Sequence, residues 1–316
     1  MPDDLPQGNP PPSDDHTPHG FASAPSPEVA ELLASAWDGV ADLARATDLD
    51  APSRLEGWTA RDVLVHLGSW PEHVRFERLV EDVRRGRVPE RDDVNARNAL
   101  VVAAHADAGV DDIVAALGRA RDRALEFLTS AEAETLGHRP ADSPVGPIPL
   151  TGVLVAGAYE LAVHALDVAS PHEVPPGVLG AGVASLVDTA GALAARSGLD
   201  ARFAVLTPVG STACRSQHGG WTTLRLGHRP IDELGWPSVR GEAADVIDAS
   251  AGRRAAVPLM LARRLRLTDV PGLLTLLPAL ETVPGLPGGT ALRAAARSLA
   301  RAGWLVGRVS TTLRGV

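Results

Sequence analysis

Residues 150–169 are apolar almost all round, yet they include two side chains that an apolar helix rarely contains. A helix that is hydrophobic on every side is typical of a protein core. Glu160 and His164 are four residues apart and therefore share one helix face. A buried carboxylate is costly unless it is paired or bound to a metal. This segment predicts a core helix whose polar face holds either a hydrogen-bonded Glu–His pair or a metal ion.

A second helix supplies another candidate ligand. Thr59 followed by Asp62 is the pattern of a capped helix start, and His66 lies among apolar residues of that helix. One histidine from this helix with Glu160 and His164 forms a three-ligand zinc set whose fourth position is open, as in catalytic zinc sites. Taken alone, His66 is more typical of a hydrogen-bonded core residue than of a metal ligand.

Asp167 lies three residues after His164 on nearly the same face. A carboxylate beside a ligating histidine can orient its ring and raise its basicity, so Asp167 is a candidate catalytic residue. The alternative is a solvent-exposed residue at the helix end.

The hydrophobic pattern predicts a mainly α protein in which a helical bundle precedes a smaller α+β domain. Residues 1–26, rich in Pro, Asp, Gly and Ser, are expected to be a disordered tail. Residues 27–198 are expected to form the metal-binding bundle, with one helix kinked at Pro71. After about residue 199, β-type runs indicate the α+β domain. It continues into a basic C-terminal extension after about Pro271, with helical patterns at 271–280 and 290–305. This organisation assigns residues 199–316 to the second domain.

Composition excludes several classes of protein. A formal charge of −9 argues against general nucleic-acid binding. No apolar run reaches the length of a membrane-spanning helix, and residues 1–26 lack the features of a signal peptide. The lone Cys214 permits no internal disulfide, so a reducing cytoplasm is the expected compartment. The pattern gives no oligomeric state.

Two sequence blocks together resemble a known family. Residues 55–67, which end in Val65-His66-Leu67, followed by Glu160-x-x-x-His164-x-x-Asp167, are similar to the mycothiol-dependent maleylpyruvate isomerase family. This family belongs to the DinB-like superfamily of metal-binding four-helix bundles, often followed by a sterol-carrier-like domain. The resemblance covers about residues 27–170 well and the later part less closely. It implies that His66, Glu160 and His164 bind zinc.

The resemblance also implies a co-substrate, the low-molecular-weight thiol mycothiol, and a small-molecule electrophile. An open zinc position can convert a thiol to a thiolate at neutral pH, which then serves either S-transfer or cis–trans isomerisation. An isomerase for a small dicarboxylate needs fixed cations near the metal. On the ligand helices, Arg61 points to another face and Arg75 lies more than two turns from His66. Transfer or conjugation is therefore preferred.

Two other classes of function stay open. The chain could be a non-enzymatic carrier, in which the second domain binds a lipid or another apolar ligand and the metal is structural. The open coordination position argues against the carrier. The chain could also be a regulatory metal-bundle protein that works through its charged ends, which capture of a protein partner without thiol chemistry would indicate.

Overall fold

The computed structural model describes residues 17–72, 75–87, 94–227 and 235–281. Residues 1–16 of the predicted disordered tail and residues 282–316 of the predicted extension, with its helical pattern at 290–305, lie outside these ranges. Within them, the prediction of a helical part followed by a smaller α+β part is confirmed.

The first part of the chain is helical. Its helices are α1 (Ser26–Ala46), α2 (Ala60–Leu67), α3 (Arg75–Arg84), α4 (Val94–Ala104), α5 (Val110–Thr129), α6 (Ala131–Leu136), α7 (Leu150–Val168) and α8 (Pro176–Arg196). The proline-rich loop before α7 contains a two-stranded pair, β1 (Pro140–Ala141) and β2 (Ile148–Pro149). Helix α1 packs against α5, α7 and α8, and α2 packs against α7. The finer assignment to a DinB-like four-helix bundle stays a prediction.

Helix α2 begins as predicted but ends earlier. The Thr59 hydroxyl accepts from the Asp62 amide while the Asp62 carboxylate accepts from the Thr59 amide, a reciprocal cap. The prediction of one helix kinked at Pro71 is wrong, because α2 stops at Leu67. The chain turns away there because the Ser69 amide donates to the Ala116 carbonyl at 2.9 Å, and the Trp70 indole donates to the Val65 carbonyl at 2.9 Å.

In residues 199–227 and 235–281, the second part forms a five-stranded sheet and four short helices. Its elements are β3 (Ala201–Thr207), β4 (Gly210–Gln217), β5 (Gly220–Gly227), β6 (Ser238–Gly241), α9 (Ala243–Ser250), α10 (Ala256–Leu261), β7 (Leu265–Thr268), α11 (Val270–Leu274) and α12 (Leu277–Glu281). The strand order is β5-β4-β3-β6-β7. Strands β3 and β6 are parallel, and the other neighbours are antiparallel.

Helix α8, which the sequence patterns did not single out, packs against both parts. It contacts α7 and α1 on one side and β4 and β5 on the other. Glycines permit the close approach: a Cβ at Gly182 would lie 2.4 Å from the Cβ of Ala162, and one at Gly191 would lie 2.4 Å from the Cys214 sulfur. The proposed boundary between two domains near residue 199 stays a prediction.

Helices α7 and α8 correct the statement that no apolar run reaches membrane-spanning length. By length and composition alone, both helices could cross a membrane, with mean hydropathies of 1.2 and 1.6. However, 61% and 78% of their apolar windows are buried inside the protein. Core helices of soluble proteins have the same properties, so this is weak evidence for a membrane span.

The predicted tail is too long at its C-terminal end, because residues 17–26 are packed against the protein. Phe21 is 4% exposed, and its amide donates to Asp188 of α8 at 3.1 Å. The Pro18 carbonyl accepts from the Trp221 amide at 2.8 Å. Burying one phenylalanine and pairing two backbone groups offsets the entropy that a polar tail would otherwise keep.

Asp188 is expected to make stability depend on pH. Burial raises its pKa to about 6, although Thr223, Trp221 and the Phe21 amide donate hydrogen bonds to it. An aspartate in the unfolded chain titrates near pH ~3.9, so the stabilising effect of this group is complete below about pH 4 and is lost as pH rises through about 6.

We expect Asp188→Asn to remove about 2 to 3 kcal/mol of the pH dependence of the unfolding free energy. Urea unfolding near pH 4 and pH 7 of both proteins measures it. An unchanged pH dependence in the variant would contradict the raised pKa of Asp188.

Candidate functional site

Helices α2 and α7 bring the three predicted zinc ligands together. His66 is in the last turn of α2, and Glu160 and His164 lie on α7. The rings of His66 and His164 have centroids 5.2 Å apart and are nearly perpendicular at 83°. Nε2 of His164 lies 3.6 Å from Oε2 of Glu160. Trp58 flanks the group, with its ring 5.8 Å from that of His66.

These separations can be compared with those that zinc imposes. Two imidazoles that bind a tetrahedral zinc at about 2.0–2.1 Å have centroids about 5 Å apart, and a ligating oxygen lies about 3.3 Å from a ligating nitrogen. Both observed distances are near these values, and the donor types suit zinc. The set is not closed, however. Across residues 17–72, 75–87, 94–227 and 235–281, no group of three or more His, Cys, Asp or Glu side chains is arranged to hold a metal ion.

Asp167 is buried and lies directly behind His164. Its side chain is 0% exposed, and Oδ2 lies 3.0 Å from Nδ1 of His164. Nε2, the other ring nitrogen, is the one nearest Glu160. The solvent-exposed alternative for Asp167 is therefore wrong.

The charges of these groups stabilise one another. Burial alone would lower the pKa of His164, but hydrogen bonds to Asp167 and Glu160 raise it to about 9. Burial alone would raise the pKa of Asp167, but hydrogen bonds from His164 and Arg253 hold it below its ordinary value. These interactions favour the protonated form of His164, which lies between the carboxylates of Asp167 and Glu160.

The candidate ligands lie within a segment that matches a known protein family. Residues 29–169, which include His66, Glu160, His164 and Asp167, match the family model described as the mycothiol maleylpyruvate isomerase N-terminal domain. The predicted resemblance to the mycothiol-dependent maleylpyruvate isomerase family is confirmed.

Solved structures give a more distant likeness to the same family. A crystal structure of the mycothiol-dependent maleylpyruvate isomerase is 16% identical, with a TM-score of 0.45 over 74% of this chain and 92% of that one. A crystal structure of a histidine-to-alanine mutant of that enzyme is also 16% identical, with a TM-score of 0.45 over 75% and 93%. No curated protein sequence matches this chain.

Outside the matched segment, the sequence patterns missed Arg253. It follows α9 in the second part of the chain, and its guanidinium donates from Nε to Oδ1 of Asp167 at 3.0 Å and from Nη2 to Oδ2 at 2.9 Å. The local sequence around Arg253 does not distinguish it from a surface arginine. Its partner Asp167 is 86 residues away.

Two further contacts join α9 to the site. Arg54 lies 3.0 Å from Oδ1 of Asp248, whose side chain is 6% exposed. The Tyr159 hydroxyl is 2.8 Å from the Ser250 hydroxyl, and burial raises the pKa of Tyr159 to about 12. The second part of the chain is therefore anchored beside the residues that flank the candidate ligands.

Removing the Asp167 carboxylate is expected to destabilise the metal-free protein. Asp167→Ala leaves Arg253 and His164 without their shared buried partner, and breaking such a pair costs about 3–5 kcal/mol. Asp122→Ala is the control, because Asp122 pairs with Arg121 on the surface at 66% exposure and should cost under about 1 kcal/mol. Denaturant unfolding in the presence of a chelator measures both. Similar losses for the two variants would contradict the buried network.

Proposed function

We propose that this protein activates mycothiol as a thiolate at a zinc site formed by His66, Glu160 and His164. The observation that carries the proposal is the convergence of these side chains from α2 and α7 inside the matched domain. Zinc bound there would lower the pKa of a thiol and so supply a nucleophile at neutral pH. The buried, free Cys214 is compatible with the reducing compartment that such a thiol requires.

The two candidate ligands on α7 differ in solvent exposure, and this difference decides which of them would move to complete the zinc site. His164 is 11% exposed and fixed by Asp167, whereas the Glu160 side chain is 58% exposed. Closing the set would therefore require movement of the exposed Glu160 side chain and not of the buried His164 ring.

The reaction begins with attack by the mycothiol thiolate on an electrophilic carbon. With a conjugated double bond, a sulfur–carbon bond forms and the π electron pair moves onto the adjacent carbonyl. Protonation of the resulting enolate, by the proton that the thiol released to solvent, and release of the thioether complete a transfer or conjugation. Rotation about the former carbon–carbon double bond, now single, followed by elimination of the thiolate completes an isomerisation. The same three ligands serve both outcomes.

The engagement of the nearby arginines favours transfer or conjugation. Arg253 is held by Asp167, and Arg54 by Asp248 and the Leu166 carbonyl. Arg61, on the ligand helix α2, is held by Asp50 and by a backbone carbonyl at the end of the α4–α5 loop. A dicarboxylate would have to displace one of these partners to obtain a clamp. Isomerisation is the second candidate, supported by the name of the matched domain.

Stoichiometric zinc is the first expected result. His66→Ala, Glu160→Ala and His164→Ala should each strongly lower the zinc content measured by elemental analysis while the protein stays helical by circular dichroism. His105→Ala is the matched control, because His105 stacks on Trp70 at 3.7 Å and is outside the proposed set. Full zinc occupancy in all three ligand variants would remove the basis of the proposal.

Thiol dependence is the second expected result. The zinc-loaded protein, incubated with mycothiol and a panel of electrophiles, should give thioether products detectable by mass spectrometry, and His66→Ala should not. Maleylpyruvate with mycothiol tests the second candidate. Conversion to fumarylpyruvate faster than about 1 per second, near the low end of enzyme rates, would overturn the preference for transfer. Turnover without any thiol would overturn the mechanism itself.

A carrier or regulatory protein would behave differently in the same assays. The carrier would retain extracted lipid and show no thiol-dependent products. The regulatory protein would capture a partner through its charged ends, again without thiol chemistry. Either result, obtained with zinc-loaded protein that forms no thiol-dependent product, would overturn the proposed function in favour of that alternative.

A further inference from the structure

Arg253 contacts the candidate site from outside the domain that contains the ligands. Its guanidinium forms a two-point fork on Asp167, with both nitrogen–oxygen distances at or below 3.0 Å. The carboxylate between the fork and His164 is 0% exposed. The chain His164–Asp167–Arg253 therefore runs from a candidate ligand to the second part of the protein.

We propose that Arg253 is a positioning residue, which holds His164 through Asp167 so that Nε2 of the imidazole is presented to a metal ion. The inference rests on the proposed zinc site and adds to it a residue from the α+β part of the chain. The matched family segment ends at residue 169 and does not contain this arginine.

The hydrogen-bond directions support this role. A carboxylate only accepts hydrogen bonds and a guanidinium only donates them. Both Asp167 oxygens accept from Arg253, and Oδ2 also lies 3.0 Å from Nδ1 of His164, which must therefore donate to it. A neutral imidazole with its proton on Nδ1 has its lone pair on Nε2. That nitrogen is the one beside Glu160.

The planar fork fixes the carboxylate as well as balancing its charge. Two parallel bonds from one guanidinium leave the carboxylate no free rotation, so the direction of the third bond, to His164, is set. A lysine would supply the charge but only a single-point contact. The proposal therefore requires the shape of the arginine side chain in addition to its charge.

The next residue offers a matched control. Arg254 donates to Oδ1 of Asp245 at 2.6 Å, and the Asp245 side chain is 1% exposed. Arg264 is the second partner of Asp245, at 2.7 Å. Each arginine thus shares a buried aspartate with one other cationic side chain. The two arrangements differ in one respect. The other partner of Asp167 is His164, a candidate zinc ligand, whereas the other partner of Asp245 is Arg264, which is not.

The test compares Arg253→Gln, Arg253→Lys and Arg254→Gln in the full chain. Zinc affinity is measured by competition with a chelator, ligand geometry by the visible spectrum of the cobalt-substituted protein, and stability by unfolding of the metal-free protein. We expect Arg253→Gln to weaken zinc binding about 10- to 100-fold and to change the cobalt spectrum. Arg253→Lys should restore folding stability more than zinc affinity. Arg254→Gln should lose stability with an unchanged spectrum and affinity.

Three results would overturn the inference while leaving the proposed function in place. One is a zinc affinity and cobalt spectrum of Arg253→Gln that equal those of the unaltered protein. The other is an equal loss of affinity in Arg254→Gln, which would show that general destabilisation is the cause. Full rescue of affinity by Arg253→Lys would show that charge alone matters and would also overturn it. Failure of the unaltered protein to bind zinc would overturn both proposals.

Discussion

The buried carboxylate of Asp167 is the contact on which the rest of the arrangement depends. A carboxylate with no exposed surface is stable only when its charge is balanced and its oxygens are hydrogen-bonded. His164 provides one partner from the same helix, and Arg253 provides the other from the second part of the chain. The two parts must therefore meet at this point for either to bury the charge.

The end of α7 is held by the same set of contacts. The last carbonyls of a helix have no partners within it and carry partial negative charge. Arg54 satisfies two of them: its amide donates to the Asp167 carbonyl at 2.8 Å, and its guanidinium donates to the Leu166 carbonyl at 3.0 Å. The same guanidinium pairs with Asp248 of α9. The helix that carries two candidate ligands is thus fixed at its end by charges from both parts of the protein.

Local patterns in the sequence were sufficient for much of this fold and insufficient for the rest. The cap at Thr59, the apolar helix α7 and the shared face of Glu160 and His164 depend on residues within a few positions of one another. Arg253 depends on a contact across 86 residues, which no periodicity records. The packed segment around Phe21 was missed for the same reason, because its partners lie on α8 and β5.

The sequence also could not specify which part of the site is rigid. Glu160 and His164 look equivalent on a helix face, but the structure leaves the side chain of one 58% exposed and that of the other 11% exposed. A site whose ligands are all preorganised binds metal with little rearrangement. Each ligand is held in place by a hydrogen bond from its non-ligating atom to a neighbouring residue. His164 has such a partner in Asp167, on the buried side. The buried network therefore fixes the His164 end of the pair and leaves the Glu160 side chain at the surface of α7.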